Sequence, residues 1–237
     1  MEIVVLLVGD VMSEDKTEYL NQVTALQDLS SAEIEQVSSQ THMVEYKREH
    51  IFYMPDDPGE VLFILKKGRV QLYRISPDGR KLIFAILHPG AIFGHMALVG
   101  QHMYQTYAQA LDDCTICIWN REQVQQIFVE KPEIAFRFLE AVGNRLTQVE
   151  ERLAEVTFQP IATRLASLLL RLDRNGDGTG LLIGYTHQYF ADMLGTYRET
   201  TTQVLNQFKG QSLIRIGRKT IEILDVAGLE KIATASE

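Results

Sequence analysis

Residues 186–208 read THQYFADMLGTYRETTTQVLNQF, and this stretch decides the C-terminal fold. Thr186 can cap a short helix over His187 to Leu194, with Phe190, Ala191 and Leu194 turned inward. Gly195 supplies the left-handed conformation that a tight turn between two crossing helices requires. A second helix begins at Thr196 or Tyr197 and runs through Val204, Leu205 and Phe208. Small Ala191, Gly195 and branched Thr201 suit the close packing of a helix-turn-helix. Beyond it, residues 212–216 and 219–223 read as two strands around Gly217-Arg218, a wing with the basic pair Arg218 and Lys219 at its tip.

The second helix presents Arg198, Glu199, Thr202 and Gln203 on its first turns. Arg198 can pair bidentately with guanine O6 and N7, Glu199 can accept from cytosine N4, and Gln203 can read adenine or a thymine edge. Thr186, Tyr197 and Thr200 offer hydroxyls to phosphates, which would fix register without reading sequence. His187 and Gln188 open the first helix beside them. These residues, with Arg218 and Lys219, form the expected contact set for double-stranded DNA.

Charge is distributed in keeping with a local DNA face. The chain of 237 residues carries a net charge of −8, which argues against nucleic-acid binding by the whole surface. From residue 158 onward, nine Lys/Arg stand against eight Asp/Glu, so the acidic excess lies in the first two-thirds. The apolar run at residues 3–8 is far too short to span a bilayer and lacks the marks of a signal peptide, so no membrane role is expected. With only Cys114 and Cys117 present, no disulfide framework is implied, and a reducing cytoplasm fits.

Upstream, residues 13–39 look helical, with Leu20, Val23, Leu26 and Leu29 on one stripe and a capping box at Ser30 and Glu33. Between Met43 and Trp119 the pattern changes to short apolar and β-branched runs at residues 60–65, 69–75, 81–87 and 114–119. Gly68, Gly79 and Gly90 punctuate them at equal spacing, which suits a small antiparallel β-roll or barrel. Asn120 reads as an N-cap, and helix is expected from there to about Thr157. Within it Ala135, Leu139, Val142, Leu146, Val149, Leu153 and Val156 follow steps of four and three, a seam for self-association into a homodimer. The competing reading lays this helix on its own domain's core. Phe158-Gln159-Pro160 ends it.

The chain resembles the CRP/FNR family of transcription regulators (cyclic-AMP receptor protein and fumarate–nitrate reduction regulator). Residues 64–68, Pro77-Asp78-Gly79-Arg80, Pro89-Gly90 with Phe93-Gly94, and Arg198-Glu199-Thr200 carry the likeness. It implies an α+β fold: an N-terminal cyclic-nucleotide-binding-type β-roll, a long dimerisation helix and a C-terminal winged helix-turn-helix. The expected divisions are 1–119, 120–157 and 158–237. The resemblance also implies effector-driven repositioning of the two DNA heads and contact with RNA polymerase.

The effector cassette departs from the cyclic-AMP pattern. Its stretch here is Gly94, His95, Met96 and Ala97, followed by Tyr104, Gln105 and Thr106. His95 stands where a ribose-binding Glu is expected, and Tyr104-Gln105-Thr106 stands where an Arg-Ser pair would hold the cyclic phosphate. No Lys or Arg lies between Lys81 and Arg121, so cyclic AMP is disfavoured unless Arg145 or Arg152 lends a cation. Two cysteines cannot hold an iron–sulfur cluster. Haem, with His95, His102 and Met103 as ligand candidates, a different small molecule, and constitutive DNA binding with an unused pocket remain open, the last two favoured over haem. Gln203 replaces a frequent second Arg, which implies an altered half-site.

Residues 173–178 (DRNGDG) resemble the start of a calcium loop, but Gly184 occupies the twelfth position, so they read as a turn leading into a strand. No Ser/His/Asp, Cys/His or phosphate-cradling glycine loop stands in a credible context, which argues against an enzyme. A ligand-sensing regulatory subunit acting on a protein partner is the alternative, and it should lack both recognition helix and wing.

Overall fold

The computed structural model describes residues 42–55, 57, 60–95, 106–174, 176 and 178–234. The helix and capping box expected within residues 13–39, and the run at residues 3–8, lie outside them. Among the described residues, eight strands come first: β1 (His42–Tyr46), β2 (Ile51–Tyr53), β3 (Val61–Lys67), β4 (Val70–Ile75), β5 (Lys81–Leu87), β6 (Ile92–His95), β7 (Tyr107–Ala110) and β8 (Cys114–Asn120). They form two four-stranded sheets in the orders β1-β8-β3-β6 and β2-β7-β4-β5. The four strands read from the sequence appear within two residues of their expected limits. The remaining four are too short or too mixed in pattern to have stood out.

Alternation explains where these strands bury. On β3, Phe63 and Leu65 face a core shared with Val70, Leu72, Phe93, Ala108 and Ile116. Leu62 and Ile64 face the opposite way, onto Trp119, Val124, Ile127, Ile134 and Phe138. A strand covered on both faces loses the apolar–polar alternation and reads as a continuous apolar run. Each fully buried Leu or Ile contributes roughly 1.5–3 kcal/mol relative to exposure. Cys114 and Cys117 fall in these two different cores, as their odd spacing on one strand requires. Gly68, Gly79 and Gly90 all take positive φ.

Two helices follow the β-roll, where the sequence suggested continuous helix. Helix α1 (Arg121–Glu130) begins at a capping box in which Asn120 and Gln123 satisfy each other's backbone amides. It stops at Lys131 because Pro132 disfavours helical geometry in the residue before it. Pro132 then opens α2 (Pro132–Phe158), 27 residues long. Ile134 and Phe138 of α2 are buried in the outer core and Val142 packs against it. So the own-core reading holds for that face of the helix, while Leu139, Leu146, Val149, Leu153 and Val156 are exposed.

The C-terminal part contains α3 (Ile161–Arg174), β9 (Leu181–Ile183), α4 (His187–Leu194), α5 (Arg198–Gly210), β10 (Ile214–Gly217), β11 (Thr220–Ile223) and α6 (Val226–Thr234). Helices α3 and α6 had not been singled out in the sequence. α3 supplies the core face with Leu165, Ala166, Leu168, Leu169 and Leu170, and packs on α4, α5 and α6. The wing is a three-stranded antiparallel sheet in the order β10-β11-β9. The Asp173 turn leads into β9 as expected, and its carboxylate accepts from the Gly180 amide at 2.7 Å. Among the described residues, no helix is long and apolar enough to cross a membrane.

Two compact units emerge from the backbone. Of the described residues, one takes those up to Arg74 and those between Phe84 and Arg145; the other joins Ile75–Ile83 to those from Leu146 onward. The tip of the β4–β5 hairpin therefore belongs with the helix-turn-helix.

Candidate nucleic-acid interface

Helix α4 is bounded by local chemistry that the sequence made legible. The Thr186 hydroxyl accepts from the Tyr189 amide at 3.1 Å, satisfying one of the amides a helix start leaves open. At the other end Gly195 sits at φ 66° and ψ 37°. A side chain there would strain the backbone and also meet Leu82 Cδ1 at 3.0 Å.

The final carbonyls of α4 find partners that sequence reasoning missed. Arg152 of α2 donates to the Met193 carbonyl at 2.8 Å and to the Ile83 carbonyl at 2.9 Å. Arg164 of α3 donates to the Leu194 carbonyl at 2.9 Å. Guanidinium groups at a helix C-terminus satisfy orphan acceptors and complement the helix dipole. Nothing in the local pattern distinguishes these arginines from exposed ones, because their partners lie tens of residues away.

Helix α5 has two faces. Thr201, Leu205 and Phe208 are fully buried, at steps of four and three. That leaves Arg198, Glu199 and Gln203 exposed, with Thr202 half-buried. Tyr197 is the N-cap but makes no side-chain capping hydrogen bond. Thr202 is tied back to α4, since its hydroxyl lies 2.9 Å from His187 Nδ1. Burial, then the nearby Arg198 charge, hold the His187 imidazole below its ordinary 6.5. Gln188 donates to Asp192 at 2.8 Å. Arg218 and Lys219 are exposed at the β10–β11 turn, which the Arg215–Glu222 ion pair braces.

The structure thus brings Thr186, His187, Gln188, Tyr197, Arg198, Glu199, Thr200, Thr202 and Gln203 onto two adjoining helices, with Arg218 and Lys219 on the wing. Of the expected effector residues, Gly94 is buried on β6 opposite Leu62 and Thr106 is buried before β7. Met96, Ala97, Tyr104 and Gln105 lie outside the described residues, as do His102 and Met103, and His95 is placed only as the last residue of β6.

Comparison with known proteins agrees with this architecture. A cyclic nucleotide-binding domain model matches residues 43–131, and a Crp-like helix-turn-helix domain model matches residues 163–232. The chain is 31% identical over 183 residues to the cyclic AMP receptor protein of Thermus thermophilus, covering 77% of this chain and 83% of that protein. It is 28% identical to the global nitrogen regulator of Synechococcus elongatus, covering 79% and 87%. A solved CRP/FNR-family transcriptional regulator from Thermus thermophilus superposes with a TM-score of 0.67 at 24% identity, over 83% of this chain and all of that one. The family regulates transcription and does not catalyse a reaction. With a cyclic-nucleotide-binding-type β-roll, a long helix and a C-terminal helix-turn-helix, the chain belongs to the CRP/FNR family of transcription regulators.

Proposed function

We propose that the protein is a homodimeric regulator that reads a near-palindromic DNA site through α5. The observation that carries this is the division of α5 into a fully buried face and exposed residues Arg198, Glu199 and Gln203, with half-buried Thr202 beside them. Arg198 and Glu199 read bases, Gln203 alters the half-site, and Thr186, Tyr197, Thr200, Arg218 and Lys219 hold phosphates. His187 and Gln188 orient the approach from α4. The exposed stripe Leu139, Leu146, Val149, Leu153 and Val156, with Val142 shared between it and the core, joins two copies. Residues 1–119 act as sensor, 120–157 as dimer region and 158–237 as DNA head, working in the cytoplasm with RNA polymerase as a further partner.

The effector is a small molecule other than cyclic AMP. The segment between Lys81 and Arg121 offers no cation to a phosphate. Of the two cations that could substitute, Arg145 and Arg152, the second donates to the carbonyls of Ile83 and Met193. A sensor subunit acting on a protein partner would have no use for the outward face of α5 or the basic wing tip.

Replacing Arg198 with Ala should cost about 1–3 kcal/mol on the preferred site and relax preference at one base pair. Fluorescence anisotropy against a set of single-base variants checks this. Equal weakening on every sequence would remove Arg198 from base reading.

A further inference from the structure

The Pro77-Asp78-Gly79-Arg80 turn has no part in the DNA-reading account, yet its side chains are ordered by one another. The Ser76 hydroxyl donates to the Asp78 carboxylate and accepts from the Arg80 amide at 3.0 Å. The Ser76 amide donates to the Arg80 carbonyl at 2.8 Å, closing the turn. Arg80 Nε donates to Asp78 Oδ2 at 2.7 Å. With that edge held, the guanidinium lies over the ring of Tyr197, 4.8 Å from its centroid. Tyr197 is the N-cap of α5, is about half exposed and makes no side-chain capping hydrogen bond.

Two more contacts and one charge attraction join the same hairpin tip to the same turn of the helix-turn-helix. Leu82 closes on Gly195, where an added side chain would meet its Cδ1 at 3.0 Å. The Ile83 and Met193 carbonyls share the Arg152 guanidinium. Lys81 and Asp192, each partly desolvated, attract one another as opposite charges. All of these residues belong to one compact unit.

We propose that Arg80 is a positioning residue for DNA binding: by stacking on Tyr197, the tip of the β4–β5 hairpin fixes the first turn of the recognition helix. This rests on the reading of α5 as that helix. Holding Tyr197 before DNA arrives reduces the ordering cost of docking, which favours affinity. A cation over an exposed tyrosine face is a modest interaction, and its loss should weaken binding roughly two- to fivefold.

The test is a cycle on the full chain: Arg80→Ala made in the wild type, in Tyr197→Phe and in Tyr197→Leu, with affinity for the selected duplex read by anisotropy across salt. The loss should appear in the wild type and in Tyr197→Phe, which keeps the ring, and vanish in Tyr197→Leu, with the salt slope unchanged. Equal losses in all three, with the slope lower by about one, would make Arg80 a direct phosphate contact and overturn the proposal. No loss in the wild-type background, or a gain, overturns it too. Should Tyr197→Leu fail to fold, hydrogen exchange decides: Arg80→Ala should speed exchange at residues 196–200 and leave β3 unchanged, and unaltered exchange at 196–200 would reject the role. A wild type without sequence-selective binding would instead remove the recognition-helix reading itself.

Discussion

Val149→Glu should convert the protein to a monomer and lower its affinity for an inverted-repeat site by roughly 10²–10⁴-fold, the avidity lost when two linked heads become one. Helix α2 divides its apolar residues. Ile134 and Phe138 are buried and Val142 packs beside them. Leu139, Leu146, Val149, Leu153 and Val156 are each more than half exposed. A continuous apolar stripe of that kind marks an interaction surface. At the middle of a two-fold seam, a glutamate would face its own copy, leaving two desolvated like charges without a partner. Sedimentation equilibrium should return the monomer mass. An unchanged dimer would show that the copies meet elsewhere, or that no self-association runs through α2.

Gly94→Ala should cost the β-roll about 2–4 kcal/mol and lower its melting temperature by roughly 5–15 °C. Gly94 lies at φ 129°, a conformation that side chains rarely allow, and an added Cβ would fall 2.2 Å from the Val61 carbonyl oxygen and 3.1 Å from Leu62 Cα. Those are backbone atoms of β3, and Gly94 is registered directly against Leu62, so no side chain can swing away to make room. The Phe93-Gly94 pair is therefore a structural requirement of the sheet before it is anything to an effector. Thermal melting followed by far-ultraviolet circular dichroism measures the loss, and an unchanged transition would mean that β6 is not seated against β3.

What the sequence made legible was local. The helix-turn-helix came out residue by residue because a cap, a left-handed glycine and a 3.6-residue period are each written within a few positions of where they act. Asn120 was readable for the same reason. The break at Lys131-Pro132 was equally local but was passed over, since apolar residues continue on both sides of it. Long-range geometry was not legible. Arg152 and Arg164 look like ordinary charges flanking a helix until the carbonyls of Met193 and Leu194 are placed beside them. Arg80 stood inside a recognisable turn, yet nothing in that turn points to a tyrosine more than a hundred residues onward. His187 and Thr202, both expected to face DNA, prove to be hydrogen-bonded to each other, which ties the recognition helix to its support.

As proposed above, α5 reads DNA as one of a symmetric pair. Selection of bound duplexes from a random library by the full-length protein tests it most directly. The expected result is an enriched inverted repeat whose half-sites are centred about 10–10.5 base pairs apart, or a multiple of that turn, with one position in each half losing its preference in Arg198→Ala. A pool that stays random after repeated rounds, or one whose enriched motif is indifferent to Arg198, would contradict it.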